Sequence, residues 1–268
     1  MSRWLVPRFP TPALMTSFRR WFAALAVVSL LSLAAQAEPD IIGKARAYLG
    51  SEDALNAVTS VHFVGSIARD NPADPAHPIH GTIDIVVAKP YKFHVILTSD
   101  KVVEVDGLNG YDGWHRHEDR LDPSKWAETV AGVGAIHQMR ANIWQNLAFY
   151  RQIDSDGPQI VDKGTVTSNG VLCREVSFIH DAKTTFNRFF DEATGRLVFT
   201  ASGSGGEIRE EGELRAGGIR FPKKLITTFA GGPGKVQVVT LEFSTITVNE
   251  VFPDSLFAPP PPLPRTKS

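Results

Sequence analysis

Residues 81–117 read GTIDIVVAKPYKFHVILTSDKVVEVDGLNGYDGWHRH, and the period of this stretch decides the fold. Ile83, Ile85 and Val87 alternate with their neighbours, and so do Tyr91, Phe93, Val95 and Leu97. A period of two puts such residues on one face of a β-strand. Lys89-Pro90 ends the first run, because proline has no N–H for a central ladder. Ser99-Asp100 reads as a tight turn. Asn109-Gly110 reads as a hairpin turn, because both residues accept positive φ. The stretch therefore predicts antiparallel strands at Gly81–Ala88, Tyr91–Thr98, Lys101–Leu108 and Tyr111–His117. Upstream, Val61, Phe63, Gly65 and Ile67 alternate in the same way and add a fifth strand. Asn71-Pro72 and Asp74-Pro75 mark the loop that follows it.

Moving outward, the pattern changes at Pro123–Ile153. Trp126, Val130, Val133, Ile136, Met139, Ile143, Trp144, Leu147 and Tyr150 recur at helical spacing, with Gly132 and Gly134 dividing two helices. Strand character returns at Ile160–Thr167, Val171–Ile179, Thr184–Asp191, Leu197–Ala201, Ile208–Leu214, Ile219–Ala230 and Val236–Val248, each bounded by turn residues. Before the first strand, Ile41, Ile42, Ala45, Tyr48 and Leu49 predict a short helix stopped by Gly50. Ser51 is placed to cap a second one, Glu52–Val58. The count is about eleven strands, with turn signals at the spacing of an antiparallel sandwich or barrel. Such a sheet accumulates twist, so it must curl or close. The helical insertion then serves as a cover on one face.

The chain has 268 residues, 28 Lys plus Arg, 29 Asp plus Glu and a single cysteine. A net charge of −1 excludes a dedicated nucleic-acid binder, which carries a basic face. Residues 1–37 read as a signal peptide: Arg19-Arg20, the apolar run Phe22–Leu33, then Ala35-Gln36-Ala37 before the cleavage point. The apolar run is short of the roughly 20 residues that cross a bilayer. Arg19-Arg20-Trp21-Phe22 suits either general secretion or twin-arginine export, and Met15 offers a more usual start. Removing this segment takes away four arginines and no acid. It leaves 231 residues with 24 basic and 29 acidic side chains, expected in the periplasm of a two-membrane bacterium. Cys173 is far from the cleavage point, so it can be neither a lipidation site there nor half of an internal disulfide. In a strand-like run it reads as a small buried residue. Residues 259–268, PPPPLPRTKS after Ala258, read as a disordered tail.

Several segments, taken in order, resemble the LolA/LolB-like family of exported lipoprotein-sorting proteins. They are Tyr48-Leu49-Gly50 with Ala54-Leu55-Asn56-Ala57-Val58, then Val61-His62-Phe63-Val64-Gly65, Pro90-Tyr91-Lys92-Phe93 and Asp106-Gly107 through Asp112-Gly113-Trp114. Phe190-Asp191-Glu192-Ala193-Thr194-Gly195-Arg196-Leu197-Val198, Gly218-Ile219-Arg220-Phe221-Pro222 and Val251-Phe252-Pro253-Asp254-Ser255-Leu256-Phe257 complete the set. The resemblance spans nearly all of residues 40–258 and implies one domain over 38–258. The implied fold is α+β, mainly β: a curled antiparallel half-barrel with helices over its concave face. It also implies an apolar cavity for the acyl chains of a lipid or lipoprotein. It fixes no individual contact residue.

Catalytic motifs are sparse. No Gly-x-Ser-x-Gly or His-Glu-x-x-His occurs, and Gly203-Ser204-Gly205-Gly206 lacks the lysine of a phosphate loop. His115 and His117, two apart in a strand, share a face and are the candidate metal pair, but zinc needs three or four ligands. Glu207, Glu210, Glu211 and Glu213 read as a solvated charge run. The aromatics say more. Phe63, Phe93, Trp126, Ile143, Trp144 and Phe149 are the candidate lining of an apolar cavity. A binder of acyl chains works by buried area and needs neither catalytic residue nor cofactor. The expected function is an exported carrier, chaperone or sensor for a lipid or lipoprotein. The alternatives are a regulatory module contacting a membrane-bound envelope protein and a hydrolase built on His115 and His117. A transmembrane barrel fits poorly, because many of the strands are shorter than the 9–11 residues such strands need.

Overall fold

The computed structural model describes residues 39–71, 77–122, 124–151, 157–203, 205–231 and 235–259, all within one unit, Glu38–Ser268. The expected signal peptide and all but the first residue of the expected tail lie outside the described residues. Two helices open the fold, α1 (Asp40–Leu49) and α2 (Glu52–Asn56). The Ser51 hydroxyl accepts from the Ala54 N–H at 3.2 Å and caps α2 as its position predicts.

Strands β1 (Ser60–Arg69), β2 (Ile79–Ala88), β3 (Lys92–Ser99), β4 (Val102–Asn109), β5 (Asp112–Asp119) and β6 (Trp126–Val130) follow as a meander. Helix α3 (Val133–Leu147) separates them from a second set. That set is β7 (Gln159–Ser168), β8 (Val171–Ile179), β9 (Thr185–Asp191), β10 (Leu197–Ser202), β11 (Glu207–Glu211), β12 (Leu214–Ala216), β13 (Ile219–Phe221), β14 (Lys224–Ala230) and β15 (Val236–Val248). Thirteen of these strands form one antiparallel sheet, in the order β6-β5-β4-β3-β2-β1-β15-β14-β11-β10-β9-β8-β7. The sheet is curled and not closed, the half-barrel the sequence implies. Register shifts at Val64/Gly65, Leu197/Phe199 and Asp162/Gly164 add local twist that helps it curl.

The order explains the helix. The first and last strands, β1 and β15, pair in the middle, while β6 and β7 lie at opposite edges. Helix α3 is the connection between those edges, so the chain must cross the open side of the curl there. It packs over β1, β2, β3 and β5. Met139, Ile143 and Leu147, at four-residue spacing, enter a core with Phe63, Val87, Phe93, Leu108 and Phe243. Ala141, Trp144 and Ala148 enter a second core with Ile42, Val176, Phe178, Phe186 and Phe190. Each large apolar side chain buried this way contributes about 1.5–3 kcal/mol.

Three expectations are corrected. Trp126–Val130 is a strand and not part of a helix. Its aromatic and β-branched residues suit an edge strand, and it pairs with β5 from Glu118↔Trp126 to Trp114↔Val130. Gly132 is the N-cap of α3 and Gly134 lies in its first turn, so there is one helix here, not two. The expected strand at Ile219–Ala230 is two, because Pro222 offers no N–H and the ladder breaks there. Phe221 pairs with Leu214 in a separate hairpin, whereas Lys224 pairs with Glu242 in the main sheet.

Several segments that carry the family resemblance prove to be struts. Gly107 lies directly opposite Trp114 across the β4–β5 ladder, and a Cβ there would come within 2.2 Å of the indole. The Trp114 Nε1–H donates to the Phe257 carbonyl at 3.0 Å, tying the C-terminal turn to the sheet. Gly195, at φ 75°, lets the Asp191–Arg196 turn approach α1 so closely that a Cβ would meet the Lys44 backbone at 2.5 Å.

Candidate functional site

A cavity of about 310 Å³ lies between the sheet and α3. That is the small end of the roughly 300–1,000 Å³ range of ligand cavities. One wall is hydrocarbon: Phe63 of β1, Ile85 of β2, Phe93 of β3, Phe243 of β15 and Leu225 of β14. Phe63 and Ile85 are direct cross-strand partners, and the Phe63 ring lies 5.0 Å from that of Phe243 and 6.0 Å from that of Phe221. The break at Pro222 brings Arg220, Phe221 and Pro222 to the cavity.

The opposite wall is mixed. Phe186 and Arg188 of β9, Thr200 of β10, and Ile208 and Glu210 of β11 border it, and α3 adds Asn142, Gln145 and Asn146. Strand β9 alternates strictly, with Phe186, Arg188 and Phe190 all inward and buried. Thr200 faces Arg188 across the β9–β10 ladder and Ile208 across β10–β11. Arg188 is only 7% exposed. Its guanidinium lies 4.7 Å from the Tyr150 ring and 5.1 Å from the Phe178 ring. Its Nε and Nη1 have no hydrogen-bond partner among the described residues. Burial pulls the Arg188 pKa down, opposed by Tyr150 and Glu210. Burial likewise pushes the Glu210 carboxyl above the usual carboxylate range, opposed by Arg188 and Arg196. Behind this wall, burial and then the Arg188 charge push His180 down to about 4. A second cavity of about 290 Å³ shares Leu49, Tyr150, Glu210, Arg220, Phe221 and Pro222 with the first and is also bordered by Tyr48, Arg196 and Glu213.

The exit from α3 closes one end. Phe149 and Tyr150 both border the cavity, both are buried, and both have positive φ, 47° and 72°. Non-glycine residues adopt that region at a cost and need support from outside. Arg46 of α1 supplies it. This side chain is 1% exposed, and its Nη1 donates to the Phe149 carbonyl at 2.8 Å and the Ala148 carbonyl at 3.2 Å. Its Nε and Nη2 donate to Glu52 at 2.8 and 2.7 Å, and Nη2 also donates to Asn56 Oδ1 at 2.9 Å. A guanidinium at the last carbonyls of a helix also complements its dipole.

Of the residues named from the sequence, Phe63, Phe93 and Phe149 border the cavity. Ile143 and Trp144 are fully buried in the two cores beside it and do not line it. Trp126 is away from it, half-buried on edge strand β6, with the Arg116 guanidinium 4.8 Å over its ring. His115 and His117 do share a face of β5. There they meet carboxylates across the ladder, His115 to Asp106 at 2.8 Å and His117 to Glu104 at 3.9 Å. No group of three or more His, Cys, Asp or Glu able to hold a metal is found among the described residues. Cys173 is buried and free. No helix among the described residues is long and apolar enough to cross a membrane.

The sequence reading missed Arg188 and misplaced Glu210. The signal for Arg188 was available: a charged residue in phase with Phe186 and Phe190 on an alternating strand points inward. Glu210 is in phase with Ile208, so it turns from the solvated run toward the cavity.

No family model and no curated protein matches the sequence. Solved structures do. The chain superposes on a LolA-superfamily protein of Nitrosomonas europaea with a TM-score of 0.53 at 14% identity, covering 83% of this chain and 97% of that one. A domain named for outer-membrane lipoprotein sorting, from Vibrio parahaemolyticus, gives 0.51 at 7% identity, over 81% and 95%. A DUF1329-family protein of Desulfovibrio piger gives 0.50 at 8% identity, over 81% and 95%. At such low identity the likeness is one of fold: this chain is built as the half-barrel that the LolA-superfamily protein and the lipoprotein-sorting domain share.

Proposed function

We propose that the protein is an exported carrier, chaperone or sensor that holds the acyl chain of a lipid or lipoprotein under α3. One observation carries the reading: a cavity walled by Phe63, Ile85, Phe93, Phe149, Leu225 and Phe243 on the concave side of an open half-barrel. Each methylene moved from water into such a wall contributes about 0.8 kcal/mol, with no directional contact needed. The names of the structural neighbours, which include lipoprotein sorting, agree with cargo of this kind. Export by the segment 1–37, cleavage after Ala37 and residence in the periplasm complete the proposal. Its partners are then acyl chains and the envelope proteins that deliver or receive them.

Native mass spectrometry of the exported chain, with displacement of a fluorescent polyene fatty acid, is the test. The expected result is co-purified lipid, or stoichiometric binding of the probe that unlabelled fatty acid displaces. A clean apo mass together with no probe binding overturns the reading.

A further inference from the structure

We propose that Arg188 anchors the acidic head of a single-chain amphiphile inside the cavity, so that the preferred cargo is a free long-chain carboxylic acid. The inference rests on the acyl-binding reading and adds the head group and its orientation.

The first argument is the state of Arg188. A guanidinium that is 7% exposed, with Nε and Nη1 unpartnered, is costly to keep buried in this mixed wall. Tyr150 and Phe178 lie 4.7 and 5.1 Å from it, contacts that stabilise the cation without using its N–H groups. What stays unused is the Nε–H and the Nη1–H, which leave different edges of a guanidinium that borders the cavity, so each offers one charge-assisted hydrogen bond.

The second argument is the lack of an internal answer. Glu210 borders the same cavity and its charge supports the Arg188 cation, but it makes no hydrogen bond to the Arg188 Nε or Nη1. Arg220, the other cation at the cavity, is already held by Glu213 at 2.6 Å. A single cation with two open N–H groups matches a singly charged carboxylate better than a phosphate ester. Gln145 on α3 adds a second unsatisfied polar atom, the buried Oε1, on the same cavity. Its Nε2 lies 3.1 Å from the His180 Nε2, and exchanging the two ends of the amide lets Oε1 accept from the His180 N–H while Nε2 faces an acid.

The third argument is size. The cavity beside Arg188, about 310 Å³, has room for one chain, and the 290 Å³ cavity that adjoins it is lined by the charged side chains Arg196, Glu213 and Arg220 rather than by hydrocarbon alone. With the head at Arg188, the chain runs along the hydrocarbon wall of Phe63, Phe93 and Phe243 on the opposite side.

The test is calorimetric titration of the delipidated exported chain with palmitate, hexadecanol and hexadecyl phosphate. The wild type is expected to bind palmitate about ten- to hundredfold more tightly than hexadecanol, the span of a charge-assisted hydrogen bond. Arg188→Met is expected to bind the two equally, at the alcohol's affinity. It is also expected to melt higher than wild type without ligand, because an unpartnered buried charge is gone. If Arg188→Met fails to fold, the wild-type preference decides alone. Equal binding of acid and alcohol by the wild type, a preference that survives in Arg188→Met, or tighter binding of hexadecyl phosphate than of palmitate overturns the anchor. In the first two outcomes the acyl-binding reading still stands. No binding of any of the three amphiphiles overturns both.

Discussion

The two walls of the cavity are made differently. The wall from β1, β2, β3, β14 and β15 presents Phe63, Ile85, Phe93, Leu225 and Phe243 and no charge. The wall from β9, β10 and β11 presents Phe186 and Ile208, but also Arg188, Thr200 and Glu210. The first wall belongs to the larger core and stabilises the fold by burial alone. The second holds ionisable groups where burial opposes their charged forms. Stability is thus concentrated on one side and unmet bonding capacity on the other, the division expected between a scaffold and a recognition surface.

The largest expected break in that contrast comes from the scaffold side. Phe63 is 5% exposed and packs on Phe221 and Phe243. Phe63→Ala should cost about 3–5 kcal/mol in urea unfolding, and a cost below about 1 kcal/mol would remove this wall's claim to hold the fold. Next is the clamp between the walls. Arg46→Met leaves the Ala148 and Phe149 carbonyls without their donor, and Phe149 and Tyr150 without support at positive φ. It should cost about 2–3 kcal/mol and weaken fatty-acid binding, whereas unchanged binding would separate the clamp from the cavity.

The smallest effect reads the charge on the recognition side. His180 is neutral in the folded state down to about pH 4, while in the unfolded chain it protonates near its ordinary value of 6.5. The unfolded state therefore binds more protons between these values, and stability falls as pH drops from about 6.5 toward 4. His180 is partly open to water, so the contribution is on the order of 1 kcal/mol. His180→Phe keeps an aromatic ring against Trp144 and Phe186, and should flatten the stability–pH curve in that window. Parallel curves for variant and wild type would show that burial and the Arg188 charge do not hold His180 below its ordinary value.

How much of this was legible follows from how local each cause is. β2 to β5 could be read because each alternates and each turn has its own residues. Trp126, Val130 and Val133 satisfied a helical period by coincidence. Pairing with β5, which no local window contains, makes the first two a strand. Pro222 carried the information that one long strand would be two. Phe63, Phe93 and Phe149 could be named as cavity lining from aromatic content, but Ile143 and Trp144 share that chemistry and pack into the cores instead. Residue type does not say which side of a core faces empty space. The run at 207–213 hid Glu210, since a cluster of like charges resembles a wet surface until the inward phase of Ile208 is taken into account.

The edge-to-edge course of α3 carries a mechanical consequence. The helix has 15 residues, which makes it about 22 Å long. Only Ala131 and Gly132 separate it from β6. A hydrogen-bonded helix does not stretch, so it acts as a tie bar that keeps the β6 edge from swinging outward. On the proposed acyl-binding reading, wider cargo is not admitted by spreading that edge. On that reading entry is along the barrel axis, beside the Phe149–Tyr150 bend that Arg46 holds in place. If the proposed acyl binding holds, the width of chain admitted is set by the length of one helix.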